Sequence, residues 1–126
     1  ANDYVGVPAV CFSDPEMAVV GMTQAQAKDK DIEVSTSKFP FAGNARAVSL
    51  DQADGFVRLI FTKDDKTLVG GEIVGPGASD LIAELSLAVN SHMNVEDIAL
   101  TIHPHPTLSE PIQEAADVGL GFPTHI

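Results

Sequence analysis

Length, composition and charge limit the classes of protein to which this chain can belong. Its 126 residues suffice for one compact domain with a hydrophobic core, and an apolar share of 44% excludes an intrinsically disordered chain. The net charge of −11, from 18 acidic and 7 basic residues, disfavours binding to nucleic acid or to anionic membranes.

The first half of the chain is predicted to form strands with one short helix between them. Residues 7–12 are apolar and typical of a strand, and Thr23-Gln24-Ala25-Gln26 fits a capping box that opens a short helix. Over residues 32–37, β-branched residues alternate with polar ones, which predicts a half-buried strand ending near Phe41. Residues 42–53 show no period and are predicted to form an irregular loop.

A hairpin is predicted in the middle of the chain. Residues 56–61 and 67–74 have strand composition, and the polar residues 62–66 between them form a turn. Gly70 and Gly71 indicate a bulge or a close backbone approach within the second strand.

Helices dominate the rest of the sequence. After the break at Gly75-Pro76-Gly77, residues 79–90 have apolar positions at helical spacing, and Asn94 is expected to cap a short helix that runs through residue 99. A last helix covers about residues 110–119. Because strands precede helices, we predict an α+β fold in a single domain over residues 1–126: a mainly antiparallel sheet of four or five strands with helices packed on one face.

Cysteine content and hydropathy narrow the classes further. Cys11 is the single cysteine, so this chain can form neither an intrachain disulfide nor a two-cysteine redox centre, and we expect Cys11 to be buried in the core. No apolar run approaches the roughly 20 residues of a membrane helix. The chain begins with Ala1 instead of Met, which fits a piece of a longer protein.

One dense group of candidate functional residues is His103-Pro104-His105-Pro106-Thr107-Leu108-Ser109-Glu110. Thr107 to Glu110 could be a capping box, with Glu110 at the third helical position. If Ser109 is the cap instead, Pro111 falls in the first helical turn and Glu110 is available for another role.

Two chemical interpretations compete with the structural one. His105 and Glu110 could form an acid/base pair, since a carboxylate fixes the tautomer of an imidazole and stabilises its charged form. Alternatively, His103 and His105 could bind a metal with His92 or Glu110, although the spacing fixes no third ligand.

A phosphate-binding loop is a further possibility at residues 75–79, which follow a strand and open a helix. The sequence there matches neither the dinucleotide-binding pattern nor the Walker pattern, so a plain turn is favoured.

Four segments match one known family in the same order along the chain. They are residues 8–21, 39–47 and 74–78, and the run His105-Pro106-Thr107-Leu108-Ser109-Glu110. Together they resemble the C-terminal dimerisation domain of dihydrolipoamide dehydrogenases, within the class I pyridine nucleotide-disulfide oxidoreductases. The resemblance extends over nearly the whole chain, and four ordered motifs are far more specific than any one.

The resemblance implies a homodimeric flavoenzyme that also carries an FAD domain and an NAD domain. It implies that His105 is the acid/base and that Glu110 orients it, both acting at the partner subunit's disulfide. By the same resemblance, His105 and Pro106 would contact the partner's FAD. The parent enzyme would oxidise protein-bound dihydrolipoamide with NAD+, in the cytoplasm or the mitochondrial matrix. The isolated chain is expected to bind no cofactor, to bind no metal and to be inactive.

The resemblance also implies binding partners, and two residues depart from the family pattern. The acidic surface would dock a basic subunit-binding domain of a dihydrolipoamide acyltransferase, in a 2-oxo acid dehydrogenase complex. The apolar faces of helices 79–90 and 110–119 would contribute to the dimer, or they form the core. Pro104 and Pro111 are unusual for the family. A sister reductase acting on glutathione-like substrates, or a pure dimerisation and docking module, are the alternatives.

Overall fold

One five-stranded antiparallel sheet forms the centre of the structure, a computed structural model that describes residues 7–12, 15–44, 54–101 and 108–121. The strand order is β1-β2-β5-β4-β3, and all neighbouring strands pair antiparallel. The strands and helices in chain order are β1 (Ala9–Cys11), β2 (Met17–Gly21), α1 (Gln24–Asp29), β3 (Val34–Pro40), a 3₁₀ turn (Phe41–Gly43), β4 (Phe56–Thr62), β5 (Leu68–Val74), α2 (Ala78–Asn90), α3 (Val95–Leu100) and α4 (Glu110–Leu120). The predicted α+β class is confirmed.

The predicted hairpin is formed by β4 and β5, at the middle of the sheet. The pairing register shifts between Ile60 and Phe61, and the two glycines of β5 lie at places of close approach. A Cβ at Gly70 would collide with the carbonyl of Met22, and one at Gly71 would lie 2.7 Å from Leu85 Cδ1. Both parts of the prediction for this glycine pair, bulge and close approach, are therefore found.

Strand β2 was not predicted, because its sequence carries no polar alternation. Ala18 and Val20 are buried, whereas Met17 and Val19 on the other face are exposed, although all four are apolar. A strand that is apolar on both faces cannot be distinguished by period from a short buried segment of another kind.

The prediction that Cys11 is buried in the core was wrong. Cys11 is exposed, since it ends the edge strand β1 and alternates with Val10, which packs partly against the core. Successive side chains of a strand point to opposite faces, so a core position for Val10 places its neighbour outside.

Strand β3 turns its less apolar face to the core. Ser37 and Phe39 are buried, while Thr36 and Lys38 are exposed. The strand is half-buried as predicted, but its inner face includes a serine hydroxyl that needs a hydrogen-bond acceptor.

The two longer helices, α2 and α4, pack on the same face of the sheet. Their apolar residues join the inner faces of the strands in one cluster, to which α2 contributes Ile82, Leu85, Ala88 and Val89, and α4 contributes Ile112, Ala115 and Ala116. These helix faces are therefore core, which was one of the two predicted alternatives. In the described part of the chain, no helix has the length and apolarity to cross a membrane.

Both short helices have the caps that the sequence indicates. The Thr23 side chain accepts from the Gln26 amide and the Gln26 side chain accepts from the Thr23 amide; Asn94 and Asp97 repeat this arrangement at the start of α3. The two capping boxes fix where α1 and α3 begin.

Candidate functional site

The start of α2 is held by a carboxylate from a distant part of the chain. Glu16 precedes β2, and its Oε1 accepts hydrogen bonds from the Ser79 amide at 3.1 Å and from the Ser79 hydroxyl at 2.8 Å. The Glu16 carbonyl also accepts from the Gly75 amide at 2.8 Å. Strand β2 and helix α2 are thus joined at the turn that contains Gly75 and Gly77.

These hydrogen bonds also explain the acidity of Glu16. The Ser79 amide first, and then the Ser79 hydroxyl, lower the pKa of this carboxyl below its ordinary value of 4.5. A carboxylate near a helix N-terminus is stabilised by the helix dipole as well. In the turn at residues 75–79, the Ser79 amide that a phosphate would use is engaged by Glu16, which supports the plain-turn interpretation.

Helix α4 begins at Glu110, and the Ser109 side chain makes no capping hydrogen bond at its N-terminus. Ser109 occupies the N-cap position, Glu110 is the first helical residue and Pro111 is the second. A capping box from Thr107 would place Glu110 at the third helical position; Thr107 lies outside the described residues, so that interpretation stays a prediction. Pro111 lies in the first turn, where the missing N–H costs no intrahelical hydrogen bond.

Several predicted site residues lie outside the described ranges. They are His103, Pro104, His105, Pro106 and Thr107. The distance between His105 and Glu110 is therefore not defined, and the acid/base pair remains a prediction.

Within the described ranges, His92 lies far from Leu108, which follows His103 and His105 in the sequence. Leu108 lies near Gly77 at the start of α2, since a Cβ at Gly77 would lie 3.7 Å from Leu108 Cδ1. His92 follows the other end of α2, a helix about 20 Å long for its 13 residues, and its side chain is exposed. Among the described residues, no group of three His, Cys, Asp or Glu side chains could bind a metal.

Three side-chain hydrogen bonds attach α4 to its surroundings. The buried Ser37 hydroxyl donates to the Ala115 carbonyl at 2.7 Å, and the Lys66 amine donates to the Gly119 carbonyl at 3.1 Å. The Gln113 amide donates to the Ala99 carbonyl at 3.2 Å, near the end of α3. The helix that begins with Glu110 is thus connected to both the sheet and its neighbouring helix.

Sequence reasoning did not identify Glu16, Ser37 or Lys66 as important. Each bonds to a residue more than 50 positions away in the sequence, at separations of 63, 78 and 53 residues. No local spacing signals such contacts.

The arrangement at the start of α4 offers a half-buried carboxylate on a firmly attached helix. A carboxylate in such a position can accept a hydrogen bond from an imidazole and stabilise the imidazolium form. Rigid elements hold such groups more accurately than loops do.

Curated relatives cover the whole of this chain. The protein is similar to the dihydrolipoyl dehydrogenase of Staphylococcus aureus, with 57% identity over 123 residues, and to that of Geobacillus stearothermophilus, with 57% identity over 126 residues. These matches include 98% and 100% of this chain, but 26% and 27% of the relatives. The chain therefore spans about a quarter of the length of these proteins.

Solved structures share the fold. LpdA of Mycobacterium tuberculosis superposes with a TM-score of 0.86 at 32% identity, over 93% of this chain and 26% of that one. The HOCl-induced flavoprotein disulfide reductase RclA of Escherichia coli has a TM-score of 0.84 at 20% identity, over 90% of this chain and 26% of that one, which concerns the fold alone. Residues 7–116 match the family described as pyridine nucleotide-disulphide oxidoreductase, dimerisation domain. The chain belongs to this family of dimerisation domains.

Proposed function

We propose that this chain is the dimerisation domain of a dihydrolipoamide dehydrogenase, and that it supplies the His105–Glu110 acid/base pair to the partner subunit's active site. The 57% identity to dihydrolipoyl dehydrogenases over the whole chain supports the enzyme class. The position of Glu110 supports the residue assignment: it is the first residue of α4, a helix bonded to the sheet and to α3.

The proposed chemistry is a proton transfer followed by thiol–disulfide exchange. His105 accepts a proton from a dihydrolipoyl thiol, because the thiolate and not the thiol is the nucleophile. The thiolate attacks one sulfur of the partner's disulfide, forms a mixed disulfide and releases the other sulfur as a thiolate. The second dihydrolipoyl thiol, after losing its proton, attacks the mixed disulfide, so that lipoamide leaves as a cyclic disulfide and the partner retains a dithiol. Glu110 orients His105 and stabilises its protonated form, and this imidazolium stabilises the released thiolate.

The cofactors of the proposed enzyme, FAD and NAD, belong to its other domains. When bound there, FAD would supply two-electron transfer from the partner's dithiol to NAD+. In the described part of this chain, the loop considered for phosphate binding has its Ser79 amide bonded to Glu16. Its residues therefore do not fit a cofactor phosphate, and contact with the partner's FAD is assigned only to His105 and Pro106.

The proposed partners are a second copy of the parent chain and an acyltransferase subunit, in the cytoplasm for a bacterial parent. The net charge of −11 supports docking of a basic subunit-binding domain through complementary charge. Salt screens such contacts, so we expect the affinity to fall several-fold between 50 mM and 300 mM NaCl. Binding that is absent or insensitive to salt would contradict this docking mode.

The test of the catalytic assignment is His105→Ala in the full-length parent enzyme. General acid/base catalysis contributes roughly 10²- to 10⁴-fold, so we expect a decrease of that size in the oxidation of dihydrolipoamide by NAD+. The reduction of ferricyanide by NADH, which needs the flavin but no thiol chemistry, is the control and should persist with FAD retained. Near-normal dihydrolipoamide turnover would contradict the assignment.

A further inference from the structure

The C-terminal half of helix α4 lies close to the sheet because its inner face consists there of small residues, beyond the buried Ile112. Ala115 and Ala116 are fully buried, and a Cβ at Gly119 would lie 3.1 Å from Phe61 Cε1 and 3.2 Å from Ser37 Oγ. Helices interlock through ridges and grooves of larger side chains. A face of Ala and Gly has shallow ridges, so apolar packing at this end of α4 resists sliding along the helix axis only weakly.

Two hydrogen bonds from the sheet side restrict the axial movement of α4, which the small side chains resist only weakly. The Ser37 side chain is 5% exposed, and its hydrogen bond of 2.7 Å to the Ala115 carbonyl is directional and shielded from water. At the last turn of the helix, the Lys66 amine donates to the Gly119 carbonyl and lies 5.3 Å from the centre of the Phe61 ring. Both donors are on the sheet side, on β3 and just before β5.

We propose that Ser37, assisted by Lys66, is a positioning residue for Glu110: its hydrogen bond to Ala115 sets the axial position of α4 and thereby the position of the Glu110 carboxylate. This inference rests on the proposed function of Glu110. Ala115 is five residues, or about 7.5 Å along the axis, from Glu110. Over so short a distance a helix moves as a rigid body, so a shift at Ala115 reaches Glu110 undiminished.

Apart from its hydrogen bond to the Ala115 carbonyl, the Ser37 hydroxyl is not expected to affect turnover. The Ala115 carbonyl lies inside α4, where it also faces the amide of Gly119 four residues later, so loss of the Ser37 bond leaves no carbonyl without a donor. The effect of removing the hydroxyl should therefore concern position more than folding. Misplacement by fractions of an ångström is sufficient to slow an acid/base step.

Ser37→Ala in the full-length parent enzyme, with bound FAD measured, tests the proposal. We expect kcat for dihydrolipoamide to fall about three- to tenfold, since a 1 Å misplacement can cost roughly 100-fold. The KM for NAD+ and the NADH:ferricyanide activity should not change. The pH profile of kcat should shift in the same direction as in Glu110→Gln.

Ser35→Ala is the matched control. Ser35 lies on the same strand and the same face as Ser37 and is partly buried, and it shows no side-chain hydrogen bond within the described ranges. We expect this variant to retain the parent kcat. Equal behaviour of the two serine variants, or a parallel loss of both activities in Ser37→Ala, would overturn the proposal.

A double-mutant cycle identifies the residue through which Ser37 acts. If Ser37 positions Glu110, Ser37→Ala should lower kcat less than about twofold in a Glu110→Gln background. Effects of Ser37→Ala and Glu110→Gln on kcat that multiply independently in the double variant would overturn the proposal. A normal kcat in Glu110→Gln itself would contradict the proposed function, whereas a low kcat there with a silent Ser37→Ala would overturn only the positioning role.

Lys66→Met provides a second variant should Ser37→Ala retain too little folded enzyme. It removes the hydrogen bond to Gly119 at the periphery and keeps most of the apolar stem. A smaller decrease of kcat in the same direction, again absent in the Glu110→Gln background, is expected. A kcat equal to that of the parent enzyme would remove Lys66 from the proposal.

Discussion

Helices α2 and α4 lie on the same face of one sheet, yet they are held there in different ways. Helix α2 packs through Ile82, Leu85 and Val89, and its N-terminus is bonded by the distant Glu16. Helix α4 packs at its C-terminal half through small residues and is fixed by hydrogen bonds, and the carboxylate at its start is its own residue, Glu110. The packing of α2 through large side chains favours stability, whereas the hydrogen bonds of α4 favour exact placement of its N-terminus.

The same difference between α2 and α4 distinguishes the roles of the two carboxylates at their N-termini, Glu16 and Glu110. Glu16 is committed to the amide and hydroxyl of Ser79, so its charge serves the fold. Glu110, as the first residue of its helix, is stabilised by the helix dipole. An acidic residue near a helix start is thus structural in one case and is proposed to be functional in the other.

The largest expected effect concerns the packing of α2. Leu85→Ala should lower the free energy of unfolding of the chain by about 2–5 kcal/mol, because it leaves a cavity under the sheet. Leu87→Ala, on the same helix with 63% of the side chain exposed, is the control and should change it by less than about 0.5 kcal/mol. Urea denaturation measures both, and similar values would contradict the assignment of α2 as a core helix.

A smaller effect on stability is expected at Gly119 of α4, together with an effect on catalysis. Alanine is favoured over glycine in helices by up to about 1 kcal/mol, whereas contact with Phe61 opposes it, so the free energy of unfolding should change by less than about 1 kcal/mol. The added Cβ should push α4 outward and lower dihydrolipoamide turnover in the parent enzyme. Unchanged turnover would show that the placement of α4 does not matter.

Glu16 should make the stability of the chain depend on pH in the acid range. Its pKa in the folded state is lowered, so the contribution is present above the ordinary value of 4.5 and is lost as the pH falls through the folded-state value. Glu16→Gln should therefore flatten the decrease of the urea midpoint below pH 4.5. Glu33→Gln, at an exposed position, serves as the control. An identical pH dependence of stability in the parent and Glu16→Gln chains would contradict the stabilising role of the Glu16–Ser79 hydrogen bonds.

Much of the fold was predictable because local chemistry determines it. Capping boxes, the β4–β5 hairpin and the spacing of apolar residues in α2 are local patterns, and each corresponds to an observed element. Strand β2 was missed because both of its faces are apolar, and the exposure of Cys11 depends on which residues of an edge strand meet the core.

The candidate site was only partly predictable, since local patterns name its residues but not their distant partners. Thr23-x-x-Gln26 forms the predicted capping box, whereas Thr107 lies outside the described residues and the Thr107-x-x-Glu110 box stays a prediction. The contacts of Glu16 and Ser37 join residues far apart in sequence. Spacing could therefore name Glu110, but only tertiary structure could identify what holds its helix.

The most direct test of the central claim compares the two carboxylates in the full-length parent enzyme. Glu110→Gln should lower the oxidation of dihydrolipoamide by NAD+ about tenfold or more with FAD retained and ferricyanide reduction intact. Glu16→Gln should leave kcat unchanged in the enzyme that remains folded. Near-normal turnover in Glu110→Gln would contradict the account and reduce Glu110 to an acidic residue that stabilises a helix start.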